Sequence, residues 1–202
     1  MQTPLAVLKS KLDLLLQNND ITNEQSEIIN AIGLPLSRVS RINKNLLLLA
    51  KIENNQFADK ESIEVTELVN ETLELLIDYT TAKQITVDKN LTENLTVTCN
   101  KTLLEILISN LLINAIVHNL ENGKINIDFS AKTLTVSNTG KTALDNKRIF
   151  ERFTVSSSET ANSGLGLAIV KEICNRYQWQ INYTFQNNLH SFRCSFEILN
   201  FF

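Results

Sequence analysis

Glycine and proline are scarce in this chain, five and two among 202 residues, which excludes long flexible linkers and a turn-dominated architecture. Cysteine is scarce as well. Cys99, Cys174 and Cys194 are odd in number, far apart and without metal-ligand spacing, so they read as buried thiols of a reducing compartment rather than a disulfide framework. Neither sign of charge dominates: 19 Lys and Arg against 22 Asp and Glu leave −3, so there is no basic surface for nucleic acid and no polybasic segment for a membrane surface. Long apolar runs are missing too. Residues 46–50 form a short run, and residues 103–117 are interrupted by Ser109, Asn110 and Asn114, so no segment is expected to span a bilayer. No secretory signal precedes the first helix. What is present, 43% hydrophobic and 20% charged residues, suits a globular chain with one large domain or two small ones.

Residues 5–55 carry apolar side chains at helical spacing. Leu5, Leu8, Leu12 and Leu15 lie on one face; after the polar turn Asn18-Asn-Asp-Ile-Thr22, a helix-start signature, the repeat resumes at Ile28, Ile32, Val39, Ile42, Leu46 and Leu49. Pro35 falls on the same stripe and is expected to bend the second helix, since it has no N–H for the carbonyl of Ala31. An antiparallel hairpin of this kind has a greasy face and little of its own to bury it. Pairing with a second copy as a four-helix bundle satisfies that face; packing on the rest of the same chain is the competing arrangement.

After the polar stretch 53–61 the period changes. Short strands are expected at 63–65, 85–88 and 95–99, an amphipathic helix at 66–79 with Leu68, Leu73 and Leu76 inward, and a long Leu- and Ile-rich helix at 100–118. A strand hairpin, 124–129 with 133–137, precedes a helix at 163–177 and a closing pair of strands, 180–185 and 191–198. That order predicts an α+β fold with three helices on one face of a mixed sheet, a two-layer α/β sandwich. The boundary between hairpin and sandwich falls near residue 57, giving domains 1–57 and 58–202.

The chemistry concentrates in the second part. Asn162-Ser-Gly-Leu-Gly-Leu places Gly164 and Gly166 directly before a helix, where bare backbone N–H groups and the positive dipole end favour an anion. Asn110 and Asn114 lie four apart on one helix, so both amides project to one side, and an amide oxygen can ligate Mg²⁺. The other reading is that they bridge polar gaps in the fold. His118, at the end of that helix, either bonds a ligand or caps the helix. Asn138-Thr-Gly140 is either a binding loop or a tight turn. Ile149-Phe-Glu-Arg-Phe153 precedes a Ser- and Thr-rich stretch, 154–163, suited to a lid, with Phe150 and Phe153 anchoring it against the core. Arg152 either reaches a phosphate or pairs with Glu151. His190 reads as surface or turn chemistry without ligand partners.

Taken in order, Asn110 and Asn114, Asn138-Thr-Gly140, Ile149–Phe153 and Gly164-Leu-Gly166 resemble the N, G1, F and G2 boxes of sensor histidine kinases, and Met1-Gln-Thr-Pro-Leu-Ala-Val7 is similar to the tail of that family's H-E-x-x-T-P motif. The resemblance covers nearly the whole chain. It implies a dimerisation hairpin followed by a sandwich of the Bergerat (GHKL) type. It implies ATP and Mg²⁺ as ligands, with Asn114 holding the metal and Asn110, Asn114, His118, Asn138, Gly140, Phe153, Gly164, Leu165, Gly166 and Leu167 around the nucleotide. Related ATPases carry a Glu as general base at the position of Asn110; an amide is no base near neutral pH, so Asn110 points to phosphoryl transfer rather than hydrolysis. Catalytic roles are thereby expected for Asn110 and for Thr3, whose counterpart positions water for dephosphorylating the partner; the other reading of Thr3 is an N-cap ahead of Pro4.

The family's phospho-acceptor His stands five residues before the motif's Pro, a position ahead of Met1, so the chain is expected to be the cytoplasmic part of a bacterial inner-membrane receptor, unable to autophosphorylate. Its implied partners are a response-regulator receiver domain and a second copy of itself, with no nucleic acid and no membrane contact within this piece. Three departures from the pattern, Val117 for a phosphate-contacting Lys, Asn138 for Asp and Thr142 for Gly, keep a nucleotide-dead dimeric scaffold of the same fold in play; a GHKL-type ATPase is the other alternative.

Overall fold

The computed structural model describes residues 2–17, 21–154 and 163–197. Two helices open the chain, α1 (Gln2–Leu16) and α2 (Asn23–Glu53), packed against each other. Thr22 starts α2 through a reciprocal capping box: its hydroxyl accepts from Gln25 N–H at 3.2 Å, and Gln25 Oε1 accepts from Thr22 N–H at 3.1 Å. The helix then continues through Pro35 without termination. Its stripe stays uncovered along most of its length, with Ile28, Ile32 and Val39 at least half exposed. Only the last turns enter the protein interior, where Leu49 and Ile52 are buried. The competing arrangement, packing on the rest of the same chain, therefore holds for those turns alone.

The second layer begins with β1 (Glu61–Glu64), α3 (Val65–Leu75), α4 (Ile77–Ala82), β2 (Thr86–Leu91) and β3 (Thr96–Cys99). The single helix expected at 66–79 is two: Leu76 leaves helical geometry with ψ near 4° and divides α3 from α4, so Leu73 and Leu76 both pack on the core while Leu75 and Ile77 face outward. Helix α5 (Lys101–Val117), capped by Asn100 Oδ1 accepting from Leu103 N–H at 3.2 Å, is the centre of the fold. Strands β4 (Lys124–Ser130) and β5 (Thr133–Thr139) follow as a hairpin, then α6 (Gly166–Tyr177) and the hairpin β6 (Gln180–Gln186) and β7 (Leu189–Ser195).

Five strands form one mixed sheet in the order β2-β4-β5-β7-β6, with β2 parallel to β4 and the remaining pairs antiparallel; β1 and β3 pair separately. Alternation decides which face is inside. Ile125, Ile127 and Phe129 of β4, Leu134 and Val136 of β5, and Phe192 and Cys194 of β7 are buried, facing α5 and α6. Cys99, Cys174 and Cys194 are free and buried, as expected of inert interior thiols; burial, with Glu61 nearby, pushes the Cys99 thiol up to about 11. The α+β sandwich behind a helical hairpin is the architecture expected from the sequence.

Arg176 fastens the two parts. Its guanidinium donates to Phe57 O at 2.6 Å, to Ile52 O at 3.4 Å and to Asn55 Oδ1, satisfying carbonyls at the C-terminal end of α2.

Candidate functional site

One cavity of about 930 Å³ opens between α5, the loop after β5, the segment 148–154 and the start of α6. That volume suits a cofactor-sized molecule. Asn110, Asn114, His118, Asn138, Gly140, Phe153, Gly164, Gly166 and Leu167 all line it. They come from four separate elements, so the fold brings together what the chain keeps 57 residues apart. Leu165 does not belong with them: its side chain is wholly buried in the core, because the residue before α6 turns inward. Thr3 lies in α1, and its side chain falls outside the described residues, as do residues 155–162 of the expected lid.

The glycines serve different ends. Gly164 has φ +65°, and a Cβ there would meet the Phe153 carbonyl carbon at 2.9 Å. Phe153 N–H donates to Gly164 O at 2.9 Å, so these two residues, on either side of the expected lid, are joined. At Gly166 a Cβ would lie 2.8 Å from Asn110 Oδ1; the missing side chain admits α5 against α6 rather than an anion. Phe150 packs on the core, but Phe153 is 55% exposed and does not anchor there. Its left-handed backbone, φ 63°, turns the ring towards the cavity mouth. Arg152 does not pair with Glu151; it pairs with Glu53 at the end of α2, while Glu151 pairs with Arg148.

The amides are sorted by their bonds. Asn110 Nδ2 donates to Ile106 O at 2.8 Å, one turn back, which fixes its oxygen against Gly166. The Asn114 side chain has no hydrogen-bond partner among the described residues, and the residue lines the cavity. A single hard-oxygen donor of this kind fits Mg²⁺ held jointly with phosphate oxygens and water, and no cluster of three His, Cys, Asp or Glu exists among the described residues to hold a metal alone. Asn138 is buried, and its Nδ2 donates to Thr139 O at 3.0 Å and His118 O at 3.5 Å, leaving Oδ1 as the acceptor.

His118 ends α5, as the helix-end reading required, and it also lines the cavity. Burial, and then the Lys83 ammonium, hold its imidazole below the ordinary range. Lys83 itself donates to Ile116 O at 3.1 Å and Val117 O at 2.9 Å, capping α5 from the end of α4.

His190 corrects the sequence reading. It is 7% exposed, lines the cavity, and bonds Tyr183 through Nδ1 at 2.8 Å. Period-two alternation with Phe192 and Cys194 carried the signal for this, and a strand beginning at 191 cut it off. Two further wall residues, Arg41 and Asn45, come from α2, and Asn45 donates to Ser163 Oγ at 3.2 Å, just ahead of Gly164. No motif marks them, since they reach the cavity only through the docking of α2 on α6.

Residues 99–198 match the family described as histidine kinase-, DNA gyrase B-, and HSP90-like ATPase. The fold, the cavity and that match define an ATP-binding-type sandwich of the GHKL class. The chain belongs to the sensor histidine kinases, as their catalytic region. It is similar to the heme sensor protein HssS of Staphylococcus aureus (strain Newman), 32% identical over 196 residues, covering 93% of this chain and 42% of that protein. The chain thus spans less than half the length of that curated relative. Among solved structures it resembles full-length ShkA in complex with AMPPNP, with TM-score 0.74, 21% identity and coverage of 96% of this chain and 42% of that one. It also resembles histidine kinase ThkA in complex with the response regulator protein TrrA, with TM-score 0.66, 23% identity and coverage of 95% and 56%. No helix among the described residues is long and apolar enough to cross a membrane.

Proposed function

We propose that this chain binds Mg²⁺-ATP in the cavity and that its parent protein passes the γ-phosphoryl group to a histidine and then to an aspartate of a response regulator. The observation that carries the reading is the convergence of Asn110, Asn114, Asn138, Gly140, Gly164 and Gly166 on one wall-lined space. Asn138 Oδ1 accepts from the base, Asn114 ligates the metal, and Phe153 and Gly164, joined on either side of the expected lid, border the phosphates. Mg²⁺ supplies charge neutralisation across the phosphate oxygens; this chain's own residues supply position. Asn110 holds no proton-accepting group and is bonded to its own helix, which favours transfer over hydrolysis.

Both histidines of the chain stand in the cavity wall, none on the hairpin. The acceptor would then be a histidine other than these two, and the parent would be anchored in a bacterial inner membrane with this region in the cytoplasm. The hairpin, residues 1–57, would pair with a second copy and dock the receiver domain; residues 58–202 would act as the nucleotide-binding unit. ThkA solved with a response regulator supports the receiver partner, and ShkA solved with AMPPNP supports the nucleotide, each by likeness of fold. Calorimetry with Mg²⁺-ADP tests the reading: saturable heat that is lost in Asn114→Ala is expected, and no heat at millimolar nucleotide would leave the scaffold alternative. Label from γ-labelled ATP should not appear on His118 or His190.

A further inference from the structure

The base end of the cavity contains a second polar reader. The Tyr183 hydroxyl accepts from Leu144 N–H at 3.0 Å and stands 2.8 Å from His190 Nδ1. With Leu144 N–H already donating to that oxygen, the pairing that uses the hydroxyl's own proton sends it to Nδ1, and on that assignment the imidazole carries its hydrogen on Nε2. The ring is fixed in place: it lies beside Tyr183 and Phe185, with centroids 5.9 and 4.8 Å away, and its Nε2 edge fills the space a Cβ on Gly140 would need. Burial, with His118 close by, keeps this imidazole below its ordinary range and so neutral.

Asn138 and His190 are cross-strand partners in β5 and β7, so their side chains stand side by side on one face of the sheet. Neither Asn138 Oδ1 nor His190 Nε2 has a partner among the described residues, and the only wholly enclosed unpaired side-chain nitrogen or oxygen there is Arg176 Nε. Both residues line the cavity, His190 with its Nε2 edge beside Gly140. An acceptor beside a donor is the complement of adenine's Watson–Crick edge, where the N6 amine donates and N1 accepts. Guanine presents the reverse, O6 accepting and N1–H donating.

We propose that His190 is a specificity-determining residue that donates its Nε2 hydrogen to N1 of adenine, paired with Asn138 accepting from N6, in a tautomer set by Tyr183. This rests on the cavity being the nucleotide site. It also gives Asn138 a neighbour that shares the recognition otherwise carried by one uncharged amide.

The test is calorimetric, on the 202-residue chain with Mg²⁺, comparing ADP, 1-deaza-ADP and 7-deaza-ADP. Removing N1 leaves a desolvated donor unpaired, so 1-deaza-ADP should bind about tenfold more weakly than ADP, while 7-deaza-ADP binds as ADP does. In His190→Phe the difference between ADP and 1-deaza-ADP should vanish, and in Tyr183→Phe it should shrink as the tautomer is released. Equal binding of ADP and 1-deaza-ADP by the unaltered chain overturns the role of His190 and leaves the nucleotide site standing. A penalty for 7-deaza-ADP in place of 1-deaza-ADP overturns it too. Binding of none of the three removes the nucleotide site and this proposal together.

Discussion

Helices α2 and α5 carry comparable numbers of branched apolar residues and place them in opposite surroundings. Along α5, Leu103, Leu104, Leu107, Ile108 and Leu111 are 0% exposed. Along α2, Ile28, Ile32 and Val39 are 54%, 51% and 50% exposed. A helix apolar nearly all round, like α5, has several neighbours, here α3, α6 and the sheet, and opens along the face that lines the cavity. A helix with a single stripe needs a single partner, and α1 supplies only part of one. The sandwich closes its own core, whereas the hairpin leaves its core half built, and that incomplete half is where association has something to gain.

The largest expected effect tests the closed half. Phe129→Ala, deleting a wholly buried ring between α5 and the sheet, should cost about 3–5 kcal/mol in urea unfolding, whereas Ile32→Ala on the uncovered stripe should cost under about 1 kcal/mol in the monomer. Equal losses would mean the two regions do not differ as described. Next comes the site. Asn114→Ala should weaken Mg²⁺-ADP at least about tenfold with an unchanged melting temperature of the unliganded protein, since the Asn114 side chain holds no bond among the described residues.

The uncovered half is tested by association. Ile28→Ser with Ile32→Ser should shift sedimentation from dimer to monomer at micromolar concentration and leave nucleotide affinity unaltered; a wild-type chain that is monomeric throughout would place the stripe's partner elsewhere. A smaller effect follows from acid. His118 and His190 are held below the ordinary imidazole value of 6.5, both chiefly by burial. The unfolded chain therefore binds protons first as pH falls, so stability is intact above about pH 6.5 and declines below it. Thermal melts between about pH 5 and 8 should show that slope, reduced in His190→Gln; a midpoint that rises on acidification would contradict it.

How far the sequence could be read also divides along this line. Periodicity placed the helices and strands of the sandwich because burial on one face imposes it, and four motifs located the cavity because each has a local chemical reason. What escaped had no local reason. The break at Leu76 comes from the core drawing in Leu73 and Leu76 together, against a sequence with no Gly or Pro there. His190 was lost with a strand boundary, although its pairing with Asn138 is what gives it meaning. Leu165 sits inside a glycine motif yet faces the core. Arg41 and Asn45 reach the cavity from a helix more than sixty residues away, through docking that no spacing encodes.

The junction between the two halves carries the smallest expected effect. Arg152 and Glu53 form an ion pair with side chains 47% and 42% exposed, so water screens it, and breaking it should cost no more than about 1 kcal/mol. The buried attachment, Leu49 and Ile52 in the core with Arg176 on the end of α2, should hold the helix in place without it. Arg152 nevertheless adjoins Phe153, which is bonded to Gly164, so the pair links the last turn of α2 to one end of the lid segment. A charge reversal, Arg152→Glu with Glu53→Arg, should restore whatever either single change removes from lid-side nucleotide affinity, while the melting temperature moves little in all three. If the double variant fails to recover affinity that the singles lose, Arg152 acts on the nucleotide directly and the hairpin is joined to the site only through its buried turns.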